Sequence, residues 1–391
     1  MTDPGTTTPS SPIRVAIQQP ALAKYRVPVF RSLAERPGID LKVFYGEEPG
    51  IPNAPADGFA AELAPLSVRR LLGQIVLRHP VQWRLAGSDD YDVVILSWNI
   101  RYVSLVPALL RARLRKKPVI LWGHGYSKSD SGVRKQLRNG VGSLAAAWLF
   151  YDRRTAAAAV EGGYPAEGVF AAPNTLDQTP IQTARAACLE DAAAMDSFRR
   201  EQALEGKQVL LYVSRLTPPN RLDLLIESLP RVLSKQPETV VALVGKGEEE
   251  HTRLADRAER LGVQDHVRFL GPIYEEQRLA PWFLSASAFV YPANIGLSLL
   301  HAFGYGLPVV TSDKTEAQNP EIVALEPGVN GLTYRDGDAG DLADQLLTLL
   351  GDKPLRERLG AAAHATATGE YSLDAMIDGF VDAIRFCHGC P

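Results

Sequence analysis

Cysteine is scarce in this sequence. Three cysteines in 391 residues cannot build a disulfide framework. Two of them, Cys387 and Cys390, lie in a Cys-His-Gly-Cys terminus with no second ligand pair beside it. A zinc site needs that second pair, so the terminus reads as a solvated tail. Long apolar runs are missing as well: none approaches the ~18–20 residues of a membrane span. Residues 1–12 are rich in Thr, Ser and Pro but lack the basic stretch and apolar core of a secretory signal. They read as a disordered leader. These absences predict a cytoplasmic protein, peripheral at most at the inner face of the membrane. Excess charge is lacking too: 42 Lys and Arg against 45 Asp and Glu leave a net −3, which gives no reason to expect nucleic acid as a partner. No Gly-x-Gly-x-x-Gly follows any predicted strand, which disfavours a dinucleotide dehydrogenase. No Asp-x-Asp motif is read as a metal site.

What is present is a regular alternation of short apolar runs with amphipathic stretches, the pattern of an α/β chain with parallel strands. Strands are predicted at 13–17, 41–45, 93–97, 119–122, 145–151 and 169–171, with helices at 27–36 and 105–115 between them. Residues 46–87 read as irregular. An Ala-rich helical linker is expected over 181–206. The alternation restarts with strands at 209–213, 240–244, 267–270, 288–291 and 308–311. This predicts a first domain over 13–180 and a second over 207–371. Both are doubly wound and facing, with a cleft beyond the carboxyl ends of their strands.

Residues that can carry chemistry cluster after those strand ends. Ala293-Asn294-Ile295-Gly296-Leu297 joins a strand to a helix. There, free backbone N–H groups and the helix dipole make a candidate anion site, and Gly296 permits close backbone approach. Arg215 follows the strand 209–213, where a guanidinium can grip phosphate oxygens through two bonds. Gly245-Lys246-Gly247 reads first as a tight turn that borders the cleft. His124, between two glycines at a strand end, suits a bond to a sugar hydroxyl or a phosphate. Tyr25 and Arg26 open the first helix, with Pro28 in its first turn. Trp98 and Trp122 end two strands, where aromatic faces could stack on a sugar or a lipid, although core filling is the default. These four are the acceptor-side candidates. The basic run 111–117 reads as a solvated helix face that could touch anionic lipid.

The order and spacing of several pieces resemble the family-4 retaining glycosyltransferases of the GT-B fold. The pieces are Ser214-Arg215-Leu216, Arg221-Leu222-Asp223, Val244-Gly245-Lys246-Gly247, Val267-Arg268-Phe269-Leu270-Gly271, Gly296-Leu297 through Gly306-Leu307-Pro308, Pro320-Glu321-Ile322 and Asn330-Gly331. The resemblance covers 13–382 and is strongest over 211–331. It implies that Arg215 holds the donor diphosphate and that the backbone of 293–297 meets the sugar and phosphates. Position 301 would meet the ribose, Ile273 the base and His124 the transferred sugar. The segment from Ser372 would cross back onto the first domain. Two departures from the family pattern involve three positions. Ala293 and His301 stand where two glutamates usually stand, and Asn220 replaces a lysine, with Arg221 adjacent. A divergent branch with an Asn-Ile/Val-Gly-Leu turn and His in the second position is the better match.

The sequence therefore predicts transfer of a sugar from a nucleotide diphosphate sugar to a hydroxyl acceptor, with retention. The acceptor would be a glycan, a lipid-linked glycan or a small natural product. Arg215 and His124 would be catalytic. Asn220, Arg221, Gly245, Ile273, Ala293, Asn294, Ile295, Gly296, Leu297 and His301 would line the donor site. No cofactor is expected, and a divalent metal would be dispensable. The alternatives are a GT-B-like sugar-nucleotide epimerase, which needs more cleft carboxylates, and a degenerate nucleotide-sugar-binding subunit.

Overall fold

Val93 and Ile95 point into one apolar core and Val94 and Leu96 into another. That alternation is the mark of a strand buried on both faces, and it explains why such strands read as continuous apolar runs. The computed structural model describes residues 11–71, 74–125 and 132–389. Most of the leader and Cys390 lie outside the described residues. The chain forms two compact units, one of residues 1–173 with 373–391 and the other of residues 174–372.

The strands of the first unit are β1 (Ile13–Gln19), β2 (Ile39–Tyr45), β3 (Ala60–Leu63), β4 (Ser67–Leu71), β5 (Gln74–Arg78), β6 (Val93–Ser97), β7 (Val119–Gly123), β8 (Ala147–Phe150) and β9 (Val169–Ala171). Seven of them form one parallel sheet in the order β3-β2-β1-β6-β7-β8-β9, and β4 and β5 make a separate antiparallel hairpin. The stretch expected to be irregular thus holds β3, the hairpin and a helix, Pro80–Leu85. These elements are short and partly exposed, so they leave no apolar run to detect.

The helices Val27–Ala34 and Leu373–Gly389 share the core on one face of this sheet. The terminal helix buries Phe380 edge-on against Trp122, at 4.7 Å between ring centres. It also offers Asp374 and Asp378 to Arg36. Cys387 is buried in that helix rather than solvated, because its turn faces the sheet with Ala383 and Ile384.

The second unit has β10 (Gln208–Val213), β11 (Thr239–Val244), β12 (Val267–Gly271), β13 (Ala286–Val290), β14 (Val309–Ser312) and β15 (Gly331–Tyr334). They form one parallel sheet in the order β12-β11-β10-β13-β14-β15. Both sheets reverse direction beside their first strand, between β1 and β6 and between β10 and β13. Such a switch point opens a crevice at the carboxyl ends of the strands. The segment expected as one linker helix is two helices of this unit, Thr179–Glu190 and Ala192–Glu201. Asp191 breaks the run because its side chain caps the second helix at Ala194 N. Ile181 and Ala184 join the second core.

Candidate functional site

In the first unit, a cavity of about 180 Å³ lies at the switch point. Gln19 and Ser97 line it from the ends of β1 and β6, and Trp122, Gly123 and His124 from the end of β7. Trp98, Asn99, Tyr25, Arg26 and Tyr151 also line it, and no Asp or Glu among the described residues does. A buried polar network fixes its floor. Gln18 Oε1 accepts from Gln82 Nε2 at 3.0 Å and from Ser97 N at 3.2 Å. Its Nε2 meets His79 Nδ1 at 2.9 Å. Since the amide oxygen is already accepting, the amide nitrogen must donate to Nδ1, and the ring is neutral with its proton on Nε2. Burial pushes the His79 pKa down to about 4.

All four acceptor-side candidates border this cavity, although only Tyr25 is exposed. Arg26 is only 5 % exposed. It is buried because its guanidinium lies over the rings of Trp122, Tyr25 and Tyr151, at 4.6, 5.1 and 5.3 Å from their centres. Trp98 and Trp122 are buried too, and neither indole N–H has a hydrogen-bond partner. His124 packs against Tyr151, 4.4 Å between ring centres. Its two glycines are sterically required. A Cβ on Gly123 would lie 2.8 Å from Trp98 Cβ, and Gly125 has φ +64° with Phe150 2.4 Å from where a Cβ would be.

In the second unit, the ends of β10 and β13 are tied together. Tyr291 Oη bonds Ser214 Oγ at 3.3 Å, and Ser298 Oγ donates to Val213 O at 3.3 Å. Arg215 follows directly. Its side chain is exposed and makes no ion pair or hydrogen bond among the described residues. Its carbonyl accepts from Tyr212 Oη at 2.8 Å and Asn220 Nδ2 at 2.9 Å. Gly245 and Gly247 hold this loop from below. A Cβ on Gly245 would fall 1.8 Å from Ser214 O, and Leu216 N donates to Lys246 O at 2.8 Å.

The 293–297 turn is braced on both sides. Asn294 is left-handed, φ 62°, and its Nδ2 donates to Asn220 Oδ1 at 3.1 Å. Asn319 Nδ2 donates to Asn294 O at 2.9 Å, and Ile295 N donates to Gln318 Oε1 at 2.8 Å. Ala293 and Ile295 are buried, whereas Gly296 and Leu297 are half-buried. Ile273 is half-buried after β12.

Two donor-side expectations need correcting. Asn220 lies under the loop, 3 % exposed, with its amide committed to Tyr212, Arg215 and Asn294, so it shapes the site without facing a ligand. Arg221 is paired with Asp223 through Nε at 3.2 Å, which turns its guanidinium away from a ligand role.

His301 Nε2 lies 2.8 Å from Glu276 Oε1, which also accepts from Tyr305 Oη. Burial pushes the Glu276 carboxyl up, but its bonds to His301 and Tyr305 and the His301 charge outweigh that and hold it below its ordinary value. Glu276, Gln318 and Asn319 carried no motif. Glu321 sat in a quoted motif without a role; it is buried and accepts from Asn174 Nδ2. Two Asp-x-Asp spacings do occur, Asp90-Tyr91-Asp92 and Asp336-Gly337-Asp338. Asp92 pairs with Arg14, Asp336 accepts from Ser312, and Asp338 caps a helix. No acidic or His/Cys cluster able to hold a metal exists among the described residues.

Residues 207–352 match the sequence profile of the family described as glycosyl transferases group 1. The chain is 36% identical over 181 residues to a D-inositol 3-phosphate glycosyltransferase of Kribbella flavida, covering 44% of this chain and 41% of that protein, so it spans well under two thirds of that relative. It is 28% identical over 324 residues to a GDP-mannose-dependent alpha-(1-6)-phosphatidylinositol monomannoside mannosyltransferase of Mycolicibacterium smegmatis, covering 77% and 80%. The crystal structure of Anabaena HepE in complex with UDP and glucose superposes with a TM-score of 0.66 at 16% identity, covering 95% of this chain and 99% of that one.

Proposed function

We propose that the chain, whose residues 207–352 match the group 1 glycosyltransferases and whose fold is GT-B, transfers a sugar, with retention, from a nucleotide diphosphate sugar to a hydroxyl acceptor. The observation that carries this reading is the unpaired Arg215 at the end of β10, tied to the braced glycine turn after β13. A free guanidinium at a switch point, beside backbone that a ligand can approach, suits a diphosphate. Arg215 holds the leaving diphosphate, whose developing charge is the main target of stabilisation. His301, oriented by Glu276, meets the ribose. Its presence with Ala293, in place of two glutamates, makes the donor pocket less acidic at these two positions and selects among sugars. The donor carries UDP or GDP, the nucleotides named for HepE and for the mycobacterial relative.

The acceptor belongs to the first unit's cavity, with His124 acting at the reacting sugar. Front-face transfer fits, because residues 293–297 contain no carboxylate and the Glu321 carboxylate beside Gly296 is buried and bonded by Asn174. The acceptor is a glycan or lipid-linked glycan. Among the described residues, no helix is long and apolar enough to cross a membrane. Peripheral contact has a surface, however. The helices Pro80–Leu85 and Leu105–Leu114 expose Trp83, Val106, Leu110 and Leu114 beside Arg113, Arg115 and Lys116. An apolar strip edged by cations suits anionic lipid.

The test is a thermal-shift screen with UDP-, GDP- and deoxynucleotide-sugars, followed by transfer from whichever stabilises the chain. Stabilisation by none, with no donor hydrolysis, refutes the reading.

A further inference from the structure

The first unit buries a positive charge that has no carboxylate partner among the described residues. Arg26 is 5 % exposed and forms no ion pair with a carboxylate among the described residues. Its partners are three aromatic faces and the Met376 sulfur at 4.0 Å. Cation–π contacts offset part of the cost of burying an ion, without the neutralisation that an oxyanion partner gives. The position worsens the balance. Arg26 is the N-cap of the helix Val27–Ala34, where the helix dipole is positive and an acid or a hydroxyl residue is the favourable choice. The cavity beside it is lined by His124, Asn99, Ser97 and the rings of Trp98 and Trp122. No acid among the described residues lines it. The guanidinium on its wall favours an anion in this cavity.

We propose that this cavity binds a single oxyanion carried by the acceptor, a phosphate ester or a uronate carboxylate, with Arg26 as its counter-ion. The proposal rests on the first unit being the acceptor side. It narrows the acceptor from any hydroxyl compound to an acidic one. A guanidinium suits either group because both present paired oxygens. The charge is retained in an unfavourable place because the bound acceptor neutralises it.

The probes are glycerol 3-phosphate and glucuronate, with glycerol and glucose as their neutral counterparts and UDP as the source of a diphosphate. Tryptophan fluorescence of the full chain reads the cavity through Trp98 and Trp122, and calorimetry reads UDP. The expected result is a saturable response to at least one acidic probe and none to its neutral counterpart. Arg26→Met should weaken that binding at least about tenfold, Arg26→Lys should retain most of it, and UDP affinity should be unchanged in both. Absence of any response to acidic probes in the wild type overturns the proposal, as does an equal response to the neutral ones. Loss of UDP affinity in Arg26→Met, with acidic-probe binding intact, also overturns it, because the guanidinium then serves the donor. If Arg26→Met does not fold, the wild-type titrations and Arg26→Lys decide. Failure of the glycosyltransferase reading appears separately, as no nucleotide binding beside intact acidic-probe binding.

Discussion

Lowering the pH should weaken the first unit through His79, by an amount the structure sets. The ring is fully buried and its pKa is pushed from 6.5 down to about 4. Protonation would place an N–H on Nδ1 against the Gln18 amide that donates to it, so the network opposes the charged form as burial does. The unfolded chain takes up a proton below pH 6.5 while the folded chain refuses it until about pH 4. Stability is therefore unaffected above pH 6.5 and falls as pH drops between those values. At about 1.4 kcal/mol per pH unit, the full loss is about 3 kcal/mol, of which about 2 kcal/mol has gone by pH 5. Urea unfolding followed by tryptophan emission measures it, since Trp83, Trp98, Trp122 and Trp148 belong to the first unit and Trp282 to the second. The control is His79→Gln, which cannot titrate yet can still accept from Gln18. Subtracting its pH profile removes the carboxylates common to both proteins. Parallel profiles for wild type and variant between pH 6.5 and 5 would refute the reasoning.

Arg215→Ala should weaken nucleoside-diphosphate binding by about 2–5 kcal/mol, and unchanged affinity by calorimetry removes Arg215 from the donor site. His124→Ala should lower kcat on the order of 100-fold with donor affinity nearly constant, the signature of a contact made in the transition state; wild-type turnover contradicts that role. Gly245→Ala forces a methyl into the Ser214 carbonyl and should cost about 1–3 kcal/mol while also weakening donor binding. A stability change below about 0.5 kcal/mol, the range of an ordinary surface substitution, means the loop adapts. Replacing exposed Leu110 and Leu114 by Glu should reduce binding to anionic vesicles at least about tenfold, with catalysis on a soluble acceptor retained.

The sheets were legible because their strands are buried on both faces. Val240 to Val244 or Val93 to Leu96 can hardly be anything else between helical stretches. β3 and the hairpin were not, since Ala60–Leu63 and Val68 or Ile75 lie where solvent tolerates almost any residue. Arg215 and Gly296 were readable from position alone, because a strand end followed by a turn is a local pattern. The supports of those residues were not. Gln318 and Asn319 brace Ile295 and Asn294 from more than twenty positions away. Glu276 reaches His301 across twenty-five residues. Polar side chains in loops resemble solvated surface until the fold brings them together.

The burial of Asn220 and the pairing of His301 make one argument about how this donor turn differs. A lysine at 220 would place a charge where the structure has Tyr212 Oη and the Arg215 carbonyl within hydrogen-bond reach of a neutral amide. Asn220 also accepts from Asn294, whose left-handed backbone sets the direction of the turn toward Gly296. Ala293, which donates its N–H to Asn220 O at 3.2 Å, is buried where a glutamate would need a partner. Position 301 does have an acid within reach: Glu276, on another helix, meets His301, which lies on the turn's own helix. The residues at 220, 293 and 301 are therefore mutually consistent. Placing a glutamate at 301 alone would set two carboxylates against each other across the site of the 2.8 Å contact. Placing one at 293 alone would bury an unpaired charge. Neither single substitution should create a carboxylate-lined pocket, and a change in pocket charge requires positions 276, 293 and 301 to change together.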